Sequence, residues 1–224
     1  MHYPVNVFVG KIRDYAGSRP SAIDKIQVDG ELQLGDLGLD GTSRRRRKST
    51  AGRTARCVII RANTMPTGSV TSPSRPSGSA RRRSAKTSPP PGLPSKTFYI
   101  GDIFRWGEAL IQVTQPRSPC FKLNFHFAIN DMAQLMQNSG KTGWLYRVIA
   151  GGQVSSDAPL ELVSRLSDVS VHEAGAIAWQ MPFDDDQYHR LLSAAGLSVS
   201  WSRTMQKRRL SGKIEDSSRR LWGK

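Results

Sequence analysis

The segment Gln115-Pro116-Arg117-Ser118-Pro119-Cys120-Phe121-Lys122-Leu123 is the constellation in this 224-residue chain with chemical promise. Two prolines fix φ and stiffen it. Arg117 and Lys122 bring positive charge to Cys120. A nearby cation favours the thiolate, the form of cysteine that acts as a nucleophile or as a ligand for a soft metal. A lone cysteine is also what a small buried hydrophobe looks like, so the residues alone leave both readings open. The second cysteine, Cys57, makes no disulfide framework with it, and a reducing compartment is expected.

Three other clusters compete for attention. Asp184-Asp185-Asp186 has the look of a metal site, but acidic residues in a first helical turn satisfy orphan N–H groups and the helix dipole. We read the triplet as a cap. Lys207-Arg208-Arg209 takes the matching explanation at a helix C-terminus. The runs Arg44-Arg45-Arg46-Arg47-Lys48 and Arg81-Arg82-Arg83 resemble nucleic-acid contacts, and a net charge of +15 points the same way.

The placement of that charge argues otherwise. Residues 41–96 carry fourteen Lys and Arg and no Asp or Glu, leaving nineteen basic and eighteen acidic residues elsewhere, a balance near neutral. The same window lacks all of the chain's Phe, Tyr and Trp, so no aromatic is interleaved to stack on bases. Its Ser, Pro, Arg and Gly richness is the composition of disorder. Specific nucleic-acid binding is therefore not expected.

Around the window the chain reads as β-rich and then helical. Val5 to Ile12 and Ile23 to Val28 alternate apolar and polar residues, the latter ahead of the turn dipeptide Asp29-Gly30. Ile103 to Trp106 and Ala109 to Gln115 flank Gly107-Glu108 as a hairpin that leads straight into the Cys120 segment. A short helix is predicted from Met132 towards Gly140, and strands over Trp144 to Ala150 and Leu160 to Ser164. From about Val169 the apolar period becomes 3.6. Three helices are predicted over Val171 to Met181, Asp184 to Ala195 and Ser198 to Leu210, separated by Pro182 and Gly196. The N-terminus lacks a basic stretch followed by an apolar one, and no apolar run approaches the ~20 residues that span a bilayer. A cytoplasmic chain without a membrane partner is expected.

The strings M-H-Y-P-V-N-V-F-V-G-K-I, K-I-Q-V-D-G-E-L, Y-I-G-D-I-F-R-W-G-E-A-L-I-Q-V, Q-P-R-S-P-C-F-K-L-N and D-D-D-Q-Y-H-R-L-L-S-A-A-G-L closely resemble bacterial members of the MOSC-domain family, named for the C-terminal domain of molybdenum cofactor sulfurase. The resemblance covers residues 1–41 and 97–224. It implies a mainly β protein: a MOSC-type β-barrel over 1–165, a small three-helix domain over 166–212 and a tail over 213–224. It also implies the molybdenum cofactor (molybdopterin), with Cys120 as the metal-binding and catalytic cysteine and Arg117 as a guanidinium suited to the cofactor's phosphate. The implied activity is an oxidoreductase that reduces an N-hydroxylated base or nucleoside, such as 6-hydroxylaminopurine, with electrons from an unidentified donor. A non-catalytic module that holds or carries the cofactor would use the same cysteine.

The family also gives the basic window an origin. Family members carry a stretch resembling D-E-Q-A-E-K-K-V-H after a glycine matching Gly41. Written as GAC GAG CAG GCG GAG AAG AAA GTC CAC and read one base later, it becomes Thr-Ser-Arg-Arg-Arg-Arg-Lys-Ser-Thr, the residues at 42–50. The codons CTG TGT CAT TAT CCG CGC, shifted likewise, give Cys57 to Arg61. Residues 42–96 are thus expected to be an out-of-frame reading and disordered. The family's His-Gly-Gly segment falls at Thr50-Ala51-Gly52, so no site residue is carried into the window. Activity and folding of this chain are expected to suffer.

Overall fold

The computed structural model describes residues 2–15, 18–36, 38–42, 57–58 and 97–223. In chain order the strands are β1 (His2–Tyr3), β2 (Val7–Val9), β3 (Arg13–Tyr15), β4 (Ser18–Ser21), β5 (Ile26–Val28), β6 (Glu31–Gly35), β7 (Gly38–Leu39), β8 (Cys57–Val58), β9 (Ile103–Trp106) and β10 (Ala109–Pro116). Helices α1 (Lys122–Phe127) and α2 (Met132–Ser139) follow, then β11 (Trp144–Ala150), β12 (Gly152–Ser155) and β13 (Leu160–Ser164). Helices α3 (Val171–Trp179), α4 (Asp185–Ser193), α5 (Val199–Ser211) and α6 (Ser218–Leu221) complete the chain. The architecture is mainly β with a small helical C-terminal region, as expected.

The principal sheet has the order β1-β13-β9-β10-β11-β8. Its centre is the predicted hairpin, with Ala109 opposite Trp106 and Gln112 opposite Ile103. Gly107 makes the turn at φ +57°, and a Cβ there would lie 2.5 Å from the Gln153 carbonyl oxygen, so glycine is required twice over. β10 is buried along nearly its whole length. Ile111 and Val113 join the aromatic core of Phe98, Phe104, Trp106, Trp144 and Tyr146. Polar residues of the same strand are each bonded: Gln112 donates to the Gly101 carbonyl, Thr114 to that of Leu145, and Gln115 accepts from Ser198. Burial pushes the Tyr146 phenol far above its ordinary range, so it stays neutral in the core.

The described strands do not close into a ring, because β1 and β8 are the two ends of this sheet, and β6, β7 and β12 form a separate one. The strand that ends it on one side, β8, comes from the expected out-of-frame window: Cys57 and Val58 lie opposite Arg147 and Tyr146. Most of that window lies outside the described residues, and with it the expectation of disorder there. The extended strand predicted over Val5 to Ile12 is shorter than its pattern suggests. Gly10 passes so near the Ala22 and Asp24 carbonyl oxygens that a Cβ would meet both at 2.8 Å, and the pairing of β2 with β5 stops at Val9.

The three predicted helices are present, with the expected cap at Asp184 and serine caps on the other two. Ser170, Asp184 and Ser198 accept from the backbone N–H groups of Glu173, Gln187 and Trp201. The helical region meets the sheet where two glycine backbones touch: a Cβ on Gly101 would lie 2.1 Å from the Ala195 carbonyl oxygen, and one on Gly196 would lie 2.6 Å from the Gly101 Cα. Beside this contact the fully buried Asp102 accepts both Arg165 Nε and Nη2, at 2.8 and 3.0 Å, and the Tyr99 N–H at 3.0 Å.

Candidate functional site

The Cys120 segment leaves the sheet where β10 ends. Pro116 is still in register with Trp144, and the Arg117 N–H donates to the Gly143 carbonyl at 2.9 Å, extending the ladder by one bond. Residues 117–121 then turn away from the sheet into α1, whose first turn begins when Leu123 N–H donates to the Cys120 carbonyl. Leu123 is buried with Met132 and Met136 and pins α1 onto α2. Cys120 is a free thiol, half-buried at the end of the strand and the start of the helix. Arg117 is half-buried at the start of the same loop, so the structure puts the two predicted site residues on one connection. Lys122 reaches across to the N-terminal segment, donating to the Pro20 carbonyl at 3.3 Å.

The sequence pattern missed the residue that grips this loop. Arg220 lies in α6, in what reads as a plain tail. Its Nη1 donates to the Pro119 carbonyl at 2.6 Å, and its own carbonyl accepts the Phe121 N–H at 2.8 Å. The two neighbours of Cys120 in the chain are therefore both bonded to one residue about a hundred positions away. Nη2 of the same guanidinium donates to Gln137 Oε1 at 2.5 Å and to Ser217 Oγ at 3.0 Å, and the Trp179 ring lies 5.7 Å from its central carbon. Burial, with the nearby Arg208 charge, pushes the Arg220 pKa down, while a Cys120 thiolate and Glu215 act in the opposite sense. The guanidinium remains a cation throughout, within electrostatic reach of the sulfur. No local sequence signal marks Arg220, because its partners are distant in the chain.

The clusters at 184–186 and 207–209 resolve as structural, and the basic runs at 44–48 and 81–83 lie outside the described residues. Asp184 caps α4, Asp185 holds Arg209 through two bonds of 2.7 and 2.9 Å, and Arg208, itself buried, binds Glu215 at 2.6 and 2.7 Å and the Ala178 carbonyl at 2.7 Å. Among the described residues no group of three or more His, Cys, Asp or Glu could hold a metal ion. A shallow groove along α5, lined by Arg203, Gln206, Lys207, Leu210 and Ser211, includes nothing from the Cys120 loop. No helix among the described residues is long and apolar enough to cross a membrane.

The donor set fits a soft metal carried in by an anionic organic group. One half-exposed thiol offers one soft ligand, and any further ligands would come from the group itself or from residues outside those described. A cation at Arg117 suits a phosphate or other anion nearby.

Residues 91–161 match the MOSC domain, and residues 169–212 match the YiiM-like 3-alpha helix domain. The chain is 62% identical over 225 residues to Protein YiiM of Escherichia coli (strain K12), covering all of both chains. The crystal structure of YiiM from Escherichia coli superposes with a TM-score of 0.72 at 50% identity, again over the whole of each chain. A shorter match, 32% identical over 74 residues, is to a reductase of Gibberella moniliformis, spanning 33% of this chain and 13% of that protein. With both domain matches in chain order and full-length identity of this size, the chain belongs to the YiiM family of MOSC-domain proteins.

Proposed function

We propose that this protein binds the molybdenum cofactor through Cys120 and reduces N-hydroxylated purines such as 6-hydroxylaminopurine. The observation that carries the reading is the thiol's position: inside the matched MOSC segment, half-exposed, on a loop bonded on both sides of the cysteine. MOSC chemistry is that of the molybdenum cofactor, and the short match to a fungal reductase is in keeping with a reductive reaction.

In this reading Cys120 would supply a thiolate ligand, and the Arg117 guanidinium would meet the cofactor's phosphate. The bound cofactor supplies two-electron redox chemistry. Reduction of an N-hydroxylamino group takes two electrons and two protons, breaks the N–O bond and leaves an amine and water, so an external electron donor is required. The boundaries that go with this reading are a MOSC domain over 1–165, containing an out-of-frame tract at 42–96, a three-helix domain over 166–212 and a tail over 213–224. We place the protein in the cytoplasm, where the cofactor and such bases would be met.

The test is molybdenum content per chain, measured on protein whose 42–96 segment has been restored to the family's frame, with and without Cys120→Ala. The substitution is expected to abolish metal retention and 6-hydroxylaminopurine reduction together. Unchanged molybdenum would remove Cys120 from the metal.

A further inference from the structure

Reading Cys120 as the reactive group raises the question of what holds its sulfur in place. The loop itself contributes little. After the Arg117 N–H its backbone leaves the sheet, and the first helical bond, from the Leu123 N–H, ends on the carbonyl of Cys120 and leaves the preceding peptide unit to other partners. Arg220 supplies the missing restraint from two directions, with its guanidinium on the Pro119 carbonyl and its carbonyl on the Phe121 N–H. A charge-assisted bond to a carbonyl is stronger than a neutral one. Gln137 and Ser217 take the other arm of the fork, so the side chain has little freedom to leave.

The segment that carries Arg220 is itself anchored. Leu221 is buried, and its carbonyl accepts Asn124 Nδ2 at 3.0 Å while Asn124 Oδ1 accepts the Ala133 N–H at 2.8 Å. Gly223 packs so closely on the Phe121 ring that a Cβ would lie 3.1 Å from it. The Arg208–Glu215 pair fixes the start of the segment. Apart from the Arg208–Glu215 pair, these contacts converge on residues 119–124, the loop and first turn that present the thiol.

We propose that Arg220 is the positioning residue for Cys120, so that the C-terminal segment 213–223 sets the orientation and access of the thiol in the MOSC domain. This rests on Cys120 being the reactive group, but not on which metal or substrate it meets. Arg220 acts through the peptide units on either side of the cysteine and needs no contact with a ligand. A lysine would keep the charge but, with a single nitrogen, would not bridge Pro119 and Gln137 as the fork does.

The experiment measures alkylation by iodoacetamide at Cys120 and at Cys57 separately, by peptide mass, in the full chain produced in cells unable to make the molybdenum cofactor. Rates are compared on the high-pH plateau, where all thiols are ionised and the rate reports access and orientation rather than charge. Arg220→Ala is expected to raise the Cys120 rate by about ten-fold, on the scale of losing one charge-assisted hydrogen bond. Arg220→Lys is expected to raise it nearly as much. Arg219→Ala, at an exposed neighbour, should leave it unchanged. A Cys120 rate within two-fold of wild type in both Arg220 variants would overturn the proposal. So would an equal acceleration at Cys57 in both, the mark of general loosening. Molybdenum plays no part in this readout, so the proposal and the cofactor assignment can fail independently.

Discussion

Two stretches of this chain are rich in arginine, and they use it in opposite ways. Residues 41–96 hold fourteen Lys and Arg without one carboxylate. In residues 97–223 the arginines are interspersed with acids and end on specific partners: Arg165 on Asp102, Arg190 on Asp168 and Glu173, Arg208 on Glu215, Arg209 on Asp185. A count of charge treats the two alike. What separates them is whether the sequence supplies the partner, and in the second stretch the cations serve as struts, with Arg220 bracketing the cysteine.

The sharpest way to break the comparison is to restore residues 42–96 to the family's frame. If the tract is foreign to the fold, the restored chain recovers buried apolar area that a window without Phe, Tyr or Trp cannot supply. The gain is expected to exceed ~5 kcal/mol, comparable with the whole stability of a typical domain. Urea unfolding followed by near-UV circular dichroism reads it. Equal midpoints and slopes in the two chains would show that the tract carries its share of the core after all.

The next effect is expected where the sheet meets the helices. Gly101→Ala places a Cβ 2.1 Å from the Ala195 carbonyl oxygen at φ +87°, so both the backbone conformation and the packing resist it. A loss of about 3 kcal/mol or more is expected. Gly212→Ala, at φ +62° with nothing within 4 Å of the new Cβ, isolates the conformational cost alone at about 1 kcal/mol. Similar melting-temperature shifts for the two would remove the close contact from the explanation.

Much of residues 97–223 was legible from sequence because its signals are local. The Gly107-Glu108 turn between alternating strands marked the hairpin, the 3.6-residue apolar period marked the three helices, and the acidic triplet marked the cap at Asp184. Helix α1 was not legible: its six residues have no side-chain cap, and only Leu123 among them is buried. Nor was β12, which depends on pairing with β6 more than a hundred residues earlier. The site divides along the same line. Cys120 and Arg117 are proposed from one nine-residue segment together with its family resemblance, whereas the contacts of Arg220 form only when α6 is folded against the loop.

The smallest predicted effect tests the strut at the base of that segment. The Arg208 guanidinium, bonded twice to Glu215, holds the Glu215 carboxyl below its ordinary range. A carboxylate depressed in the folded state stabilises the fold fully above its unfolded pKa, and this contribution fades as pH falls through the lowered folded value. Arg208 is buried, but the Glu215 side chain is 58% exposed, so solvent screens the pair and its worth is at most ~1 kcal/mol. Asp168, Asp185 and Asp216 are depressed as well and will steepen the acid limb of every variant alike. The difference between wild type and Glu215→Gln therefore isolates this one group. Urea unfolding should show the variant weaker at pH 7 and converging on wild type as pH falls below the lowered folded value. A gap that stays constant over that range would mean that Glu215 contributes independently of its charge, and that a neutral amide fails to replace it for some reason other than the lost ion pair with Arg208.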